Sequence, residues 1–201
     1  MKTLTLEKLK ELHACQSGIA WFLEQETNDL EVICNRLLGD TEYVDEDGHT
    51  CLDYLNWLLP RLMDKEQCIK LAIYAAELAL PIFEKEYPED DRPRKAIQAA
   101  RAYLAEPSKG NRKAAEATGW AANATNASEG AYWAARAAAG AAAGAAACAA
   151  GANVAWYAAS AAAAEAAYWS AADARAAKNE VLIKCSKYGM ELLGLEVKEN
   201  A

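Results

Sequence analysis

The sequence contains few of the residues from which catalytic and metal sites are usually built. Only two histidines occur in 201 residues, and both lie in the first quarter of the chain, at His13 and His49. The chain has no GxSxG, P-loop or HExxH motif, so the common signatures of nucleophiles, phosphate-binding loops and zinc proteases are missing. We therefore expect a protein that is not an enzyme and that binds no cofactor.

Paired cysteines are also missing, and so is a signal peptide. The six cysteines are Cys15, Cys34, Cys51, Cys68, Cys148 and Cys185, and no two of them form a CxxC pair. Residues 2–12 have the pattern of an amphipathic helix rather than that of a charged segment followed by an apolar one. These features predict a cytoplasmic protein with reduced thiols.

Basic residues are outnumbered by acidic ones. The chain has 21 lysines and arginines against 29 aspartates and glutamates, which gives a formal net charge of −8. Nucleic-acid binding needs a basic face, so the composition excludes nucleic acid as the main ligand. An acidic protein is compatible with a basic protein partner, such as a toxin or a nuclease, that electrostatic attraction would steer toward it.

Two short patterns place a histidine beside a cysteine, at His13-Ala-Cys15 and at His49-Thr-Cys51. Together with Cys34 they would supply enough ligands for a zinc ion. Zinc sites, however, usually separate neighbouring ligands by two to four residues rather than one. Single cysteines on helices are more often small buried apolar residues. We therefore predict that no metal is bound.

The first half of the chain shows helical periodicity and recognisable helix ends. Asp29 and Thr50 each precede an apolar run that they can cap, and Asp64 with Gln67 has the spacing of a capping box. The dipeptide 17–18, Ser-Gly, is expected to interrupt the helical pattern before a second short helix begins. Pro81 is expected to kink the helix that follows residue 64, or to make it restart.

The second half is dominated by alanine, which makes up more than half of residues 114–177. Alanine is the best helix former and is small enough to let helices approach closely, so a close contact is expected at Ala141, Gly144 and Ala145. Residues 137–164 carry no charge, but their alanine and glycine content does not favour lipid, and we expect no membrane span. Residues 181–193 predict a last amphipathic helix.

These patterns contain no convincing strand and predict an all-α fold. We expect a multi-helix bundle whose alanine-rich C-terminal helical region is tightly packed. An N-terminal helical segment, residues 1–62, would precede a second region, residues 63–201, and the two would form one continuous globular unit.

Two groups of residues are candidates for binding a ligand or a partner. The charged group consists of Asp90, Asp91, Arg92, Arg94 and Arg101. The aromatic group consists of Trp133, Arg136, Trp156, Tyr157 and Trp169. The aromatic rings are expected to anchor the core between alanine helices; alternatively, with the arginine, they would hold a nucleotide base.

The charged group has two interpretations. In the structural one, Asp91 caps a helix that starts near Pro93, while Arg92 and Arg94 pair with acidic neighbours such as Glu89 or Asp90. In the functional one, the arginines clamp an anion or a carboxylate with paired hydrogen bonds. The structural interpretation is preferred.

The segment from Tyr87 to Arg101, YPEDDRPRKAIQAAR, followed by a long alanine-rich tail, resembles the Imm5-like class of immunity proteins. The resemblance covers most of residues 13–177. It implies a small helical protein that neutralises a toxin in bacterial conflict, and it supplies no catalytic residue. The tail lacks the histidines of many such proteins, so the resemblance implies no histidine-based site.

The expected function is stoichiometric binding of a protein toxin or defence effector in a bacterial or phage conflict. The alternative is a sponge that sequesters a nucleotide second messenger through the aromatic group and its arginine. An ice-binding helix would need a face of regularly spaced threonines, and the alanine-rich region has only Thr118 and Thr125. A homo-oligomer is compatible with all of these functions.

Overall fold

The computed structural model describes residues 3–123, 155, 158–164 and 173–198, and these residues form an all-α protein. The helices are α1 (Leu6–Glu11), α2 (Gln16–Glu24), α3 (Leu30–Gly39), α4 (Cys51–Leu62), α5 (Lys65–Glu86), α6 (Arg92–Ala105), α7 (Lys109–Asn123) and α8 (Ala174–Leu192); residues 158–164 are also helical. Extended pairing in this part of the chain is limited to two isolated bridges, Thr3 with Asp29 and Val44 with Thr50. The predicted fold class is confirmed.

Side chains cap three helices at positions that the sequence predicts. The carboxylate of Asp29 accepts two backbone amides of the first turn of α3, at 2.9 and 3.1 Å. Thr50 and Asp53 form a reciprocal capping box at the start of α4, and Asp64 and Gln67 form another at the start of α5. Each box satisfies backbone amides that have no partner within the helix.

Two predicted helix starts are wrong, and the restart that was one of two expectations at Pro81 does not occur. Helix α2 begins at Gln16 and passes through the predicted break, because the Cys15 sulfur accepts the amide of Gly18 at 3.4 Å. Helix α5 continues through Pro81 without restarting, since the buried residues on both sides of it, Ala79 and Phe83, hold the helix in place. Helix α8 begins at residue 174, seven residues earlier than predicted, because Asp173 caps it.

The buried side chains form two clusters. The N-terminal core contains residues of α1 to α4, among them Leu9, Trp21, Ile33 and Leu52. The C-terminal core contains residues of α5, α6 and α7 together with alanines of the 158–164 segment. Helix α8 contributes residues to both cores, and it packs against α4 and α5. The division at residues 62 and 63 stays a prediction.

Small residues permit the closest approaches. At Gly189 of α8, an added Cβ atom would lie 3.1 Å from Leu59 Cδ1 and 3.2 Å from Met63 Cε, so α8 lies almost on the surface of α4. Five of the six alanines of the 158–164 segment are similarly buried. The contact predicted at Ala141, Gly144 and Ala145 lies outside the described residues. In the described part of the chain, no helix is both long and apolar enough for a membrane span.

Candidate functional site

The charged group forms a row of ion pairs along the junction of α5 and α6. Arg94 donates two hydrogen bonds to the Glu84 carboxylate, at 2.7 and 2.6 Å. Seven residues further along α6, Arg101 donates two to Oε1 of Glu77, at 2.8 and 2.5 Å. Both arginines pair with acidic side chains as predicted, but the partner of Arg94 is Glu84, because packing of α6 against α5 brings that carboxylate to it.

The helix start beside this row also differs from its prediction. Asp91 occupies the N-cap position, but its backbone dihedrals of −90° and 4° are not extended, and its side chain caps no amide. The Asp91 carboxylate pairs instead with Lys95 at 2.9 Å. Asp90 accepts the backbone amide of Arg92 at 3.1 Å and its guanidinium at 2.8 and 2.6 Å. The carboxylate that stabilises the start of α6 is therefore Asp90 rather than Asp91. Its pair with Arg92 agrees with the prediction that Arg92 pairs with an acidic neighbour such as Asp90.

We expect Asp90→Ala to lower the free energy of unfolding by about 0.5–2 kcal/mol, since the substitution removes the acceptor of both a backbone amide and a guanidinium. Asp91→Ala should change the free energy of unfolding by less than about 0.5 kcal/mol, because the ion pair between Asp91 and Lys95 is exposed. Urea unfolding of the two variants measures both effects. A larger loss for Asp91→Ala than for Asp90→Ala would contradict this assignment.

The arrangement does not bring the charged group together into one clamp. The guanidinium groups of Arg92, Arg94 and Arg101 are each paired with a carboxylate of the chain. Arg94 and Arg101 lie about 10 Å apart along the axis of α6. A partner would meet alternating positive and negative groups on this surface, so its role in binding stays a prediction.

The aromatic group lies outside the described residues: Trp133, Arg136, Trp156, Tyr157 and Trp169 are all in undescribed segments. Whether these rings form a core or stack on a base stays a prediction, and so does the nucleotide-sponge alternative that depends on them.

A cavity of about 410 Å³ lies between the N-terminal helices and α8. Its floor consists of buried apolar side chains of the N-terminal core, among them Leu9, Phe22, Ile33, Leu37 and Leu58. Three large aromatic side chains also line the cavity: Trp21 of α2, and Tyr54 and Trp57 of α4. Its rim includes the exposed residues His13, Cys15 and His49. The site is therefore apolar inside and polar at its mouth.

A folded loop, residues 40–49, forms one side of the mouth of the cavity. The Asp45 side chain is only 3% exposed and accepts a hydrogen bond from Tyr54 Oη at 2.6 Å. Its Oδ1 accepts the amides of Asp47 and His49 at 2.9 and 2.7 Å. The bond from Tyr54, together with those from His49, keeps the pKa of Asp45 well below its usual range. Gly48 has a φ of +84°, which favours glycine at the turn.

An ion pair between two residues that line the cavity links α4 to α8. Lys178 Nζ lies 3.0 and 3.3 Å from the two carboxylate oxygens of Asp53. Burial alone would raise the pKa of Asp53, but hydrogen bonds from the Thr50 amide and from Lys178 outweigh burial and lower it. Asp53 is therefore a charged group that both caps α4 and contacts α8.

The His-x-Cys patterns are divided between this cavity and the core. His13, Cys15 and His49 line the cavity. Cys34 and Cys51 are fully buried, and burial raises the pKa of each thiol to about 12. The five residues that were considered as zinc ligands are thus not brought together as a set.

Among the described residues, one group of side chains places its ligand atoms within 4.8 Å of one another, and it consists of Asp45, Asp47 and His49. Exposed acidic groups of this kind are common without an ion, and the absence of a metal stays a prediction. Sequence reasoning missed the cavity itself. The signal that pointed toward it was the pair of histidines, both of which lie at its mouth.

Comparison with known families gives one match. The model of a family described as "Imm-5 like putative immunity protein" matches residues 59–191, about two thirds of the chain. Comparisons with curated proteins and with solved structures find no match. The matched segment runs from the end of α4 nearly to the end of α8 and contains the row of ion pairs. Most residues that line the cavity precede it, whereas Ser160 and Lys178 lie within it.

Proposed function

Because the chain belongs to the Imm-5 like family of immunity proteins, we propose that it neutralises a protein toxin by stoichiometric binding and without catalysis. Family membership is the observation that carries this proposal. The acidic charge of the chain and its concentration in one loop support two further parts of the proposal, namely that the toxin is basic and that it meets this loop.

The acidic charge is concentrated in one stretch. Residues 37–60 contain six aspartates and glutamates and no lysine or arginine. Five of the six lie in the 40–49 loop. Such a concentration attracts a basic surface and speeds the encounter of two proteins. We infer that the toxin presents a basic face to this loop.

The loop is also folded in a way that suits docking. The carboxylate of Asp40 accepts hydrogen bonds from the amides of Glu42 and Tyr43 at 3.3 and 3.0 Å. At the other end of the loop, the Asp45 carboxylate accepts one from the amide of His49 at 2.7 Å. A loop that is already ordered loses little conformational entropy when it binds. Val44 is 48% exposed, so an apolar contact is available among the acidic side chains.

Co-expression tests the proposal. A toxin domain encoded beside this chain's own gene would be expressed in bacteria with and without the chain, and growth would be recorded. We expect growth to be restored, and we expect light scattering after size exclusion to show a complex with a fixed stoichiometry. Inactivation of the purified toxin by far less than an equimolar amount of the chain would overturn stoichiometric neutralisation.

A charge-reversal variant tests the face. Glu42→Lys, Glu46→Lys and Asp47→Lys together should weaken toxin binding by at least about tenfold, measured by calorimetry, because they replace attraction with repulsion. The matched control carries the same change of charge elsewhere on the exposed surface, at Glu106, Glu116 and Glu191. Equal affinities for the two variants would show that the loop is not the docking face.

A further inference from the structure

The toxin-binding proposal makes no use of the cavity between the N-terminal helices and α8. We propose that this cavity binds a small organic cation, with an apolar body seated on the floor and an ammonium group held at the mouth. The inference does not depend on toxin neutralisation, because the small molecules that test it need no toxin; it does use His49 and Asp47 of the 40–49 loop.

The dimensions of the cavity suit a small molecule. Its volume of about 410 Å³ falls within the range of roughly 300–1,000 Å³ that is typical of ligand sites. The floor residues Leu9, Phe22 and Leu58 are buried and offer no hydrogen-bonding side chain. An apolar ligand body would cover surface that otherwise faces water, which is the main source of affinity in such sites.

The aromatic walls favour a cation over an anion. The faces of Trp21, Tyr54 and Trp57 carry the negative part of the ring quadrupole, and ammonium groups are attracted to them. The Trp57 ring already attracts one cation of the chain, since the Arg61 guanidinium carbon lies 4.3 Å from its centroid. A ligand ammonium at the mouth would use the same interaction with the rings that line the cavity.

The charges around the cavity act in the same direction. Asp53 lines it, and Asp45 and Asp47 lie beside the two lining residues Tyr54 and His49. Among the described residues that line the cavity, Lys178 is the sole lysine or arginine, and it is already paired with Asp53. With the Arg61 guanidinium beside the lining residue Trp57 also counted, three carboxylates lie around the cavity against two cationic side chains, which leaves the surroundings negative by one charge. An anionic ligand would be repelled, whereas a cationic one would be attracted.

The polar atoms of the mouth can complete the recognition. The side chains of His13 and His49 are exposed at the rim, where a neutral imidazole nitrogen can accept a hydrogen bond from a ligand ammonium.

Three probes with one body and different heads test the proposal. These are 4-phenylbutylamine, 4-phenylbutan-1-ol and 4-phenylbutyrate, which are cationic, neutral and anionic at neutral pH. Their phenyl ring is transparent where tryptophan is excited, so fluorescence of Trp21 and Trp57 can report binding. We expect the amine to bind at least about tenfold more tightly than the butyrate, with the alcohol between them.

Substitutions locate the binding. Ala14 lines the cavity, and Ala14→Leu should fill it and reduce amine affinity at least about tenfold. The matched control, Ala20→Leu, makes the same change on the exposed side of α2 and should leave affinity unchanged. Lys178→Met removes the competing ammonium and should strengthen amine binding.

Two results measured on the unmodified protein would overturn the inference. Neither depends on how the substitutions affect folding. One is an affinity for the butyrate equal to or greater than that for the amine. The other is a lack of binding by all three probes at millimolar concentration. Amine affinity unchanged by Ala14→Leu in a protein of native melting temperature would also overturn it, because the probe would then bind elsewhere.

Discussion

Replacing Leu59 by alanine is expected to lower the free energy of unfolding by about 2–5 kcal/mol. Leu59 lies on α4, is 0% exposed and faces the closest approach of α8, at Gly189. Removing most of its side chain deletes apolar contacts, and the two helices cannot close the resulting space without moving apart from their other neighbours. Equilibrium unfolding in urea, followed by circular dichroism, measures the loss.

The matched control is Leu23→Ala, the same substitution at a leucine that is 57% exposed on α2. Its effect should remain within about 0.5 kcal/mol, since little apolar surface is withdrawn from water there. Similar losses for the two leucines would contradict the arrangement in which α8 packs against α4 over Leu59.

The second large effect is expected at Gly189. A leucine at this position would place its Cβ 3.1 Å from Leu59 Cδ1 and 3.2 Å from Met63 Cε, before the rest of the side chain is accommodated. Such overpacking should cost about 1–3 kcal/mol. At Gly110 of α7, Ser108 Oγ is the one atom of the described residues within 4 Å of an added Cβ, at 3.8 Å. Gly110→Leu should therefore be neutral or slightly stabilising, because leucine favours a helix more than glycine does.

Combining the two substitutions tests the contact itself. In the double variant Leu59→Ala and Gly189→Leu, the new side chain can occupy the space that the old one vacates. We expect the combined loss to be smaller than the sum of the single losses by at least about 1 kcal/mol. Strictly additive losses would show that the two residues do not share one packing site.

The correct sequence predictions concern interactions between near neighbours in the chain. Asp29 and Thr50 cap helices because a short polar side chain reaches amides two or three residues away. The prediction for Asp91 is wrong although the residue type is right, because capping also needs an extended backbone. That dihedral angle depends on how the turn after α5 joins α6, which the local pattern does not reveal.

The ion pairs of the charged group show the same difference between contacts of near neighbours in the chain and contacts between helices. Arg92 pairs with Asp90, two residues away, and the sequence predicts this pair. Arg94 pairs with Glu84, ten residues away on another helix, where several carboxylates were equally plausible partners. Only the packing of α6 on α5 selects among them.

The sequence by itself determined the helices, most of their caps and the family to which the chain belongs, because periodicity and short-range hydrogen bonds are written in consecutive residues. The tertiary structure alone decided which side chains meet across helices. It placed Leu59 against Gly189, joined Asp53 to Lys178, and gathered residues as distant as His13 and Lys178 around one cavity. Such meetings depend on the angles and distances at which helices pack, and no spacing along the chain encodes them.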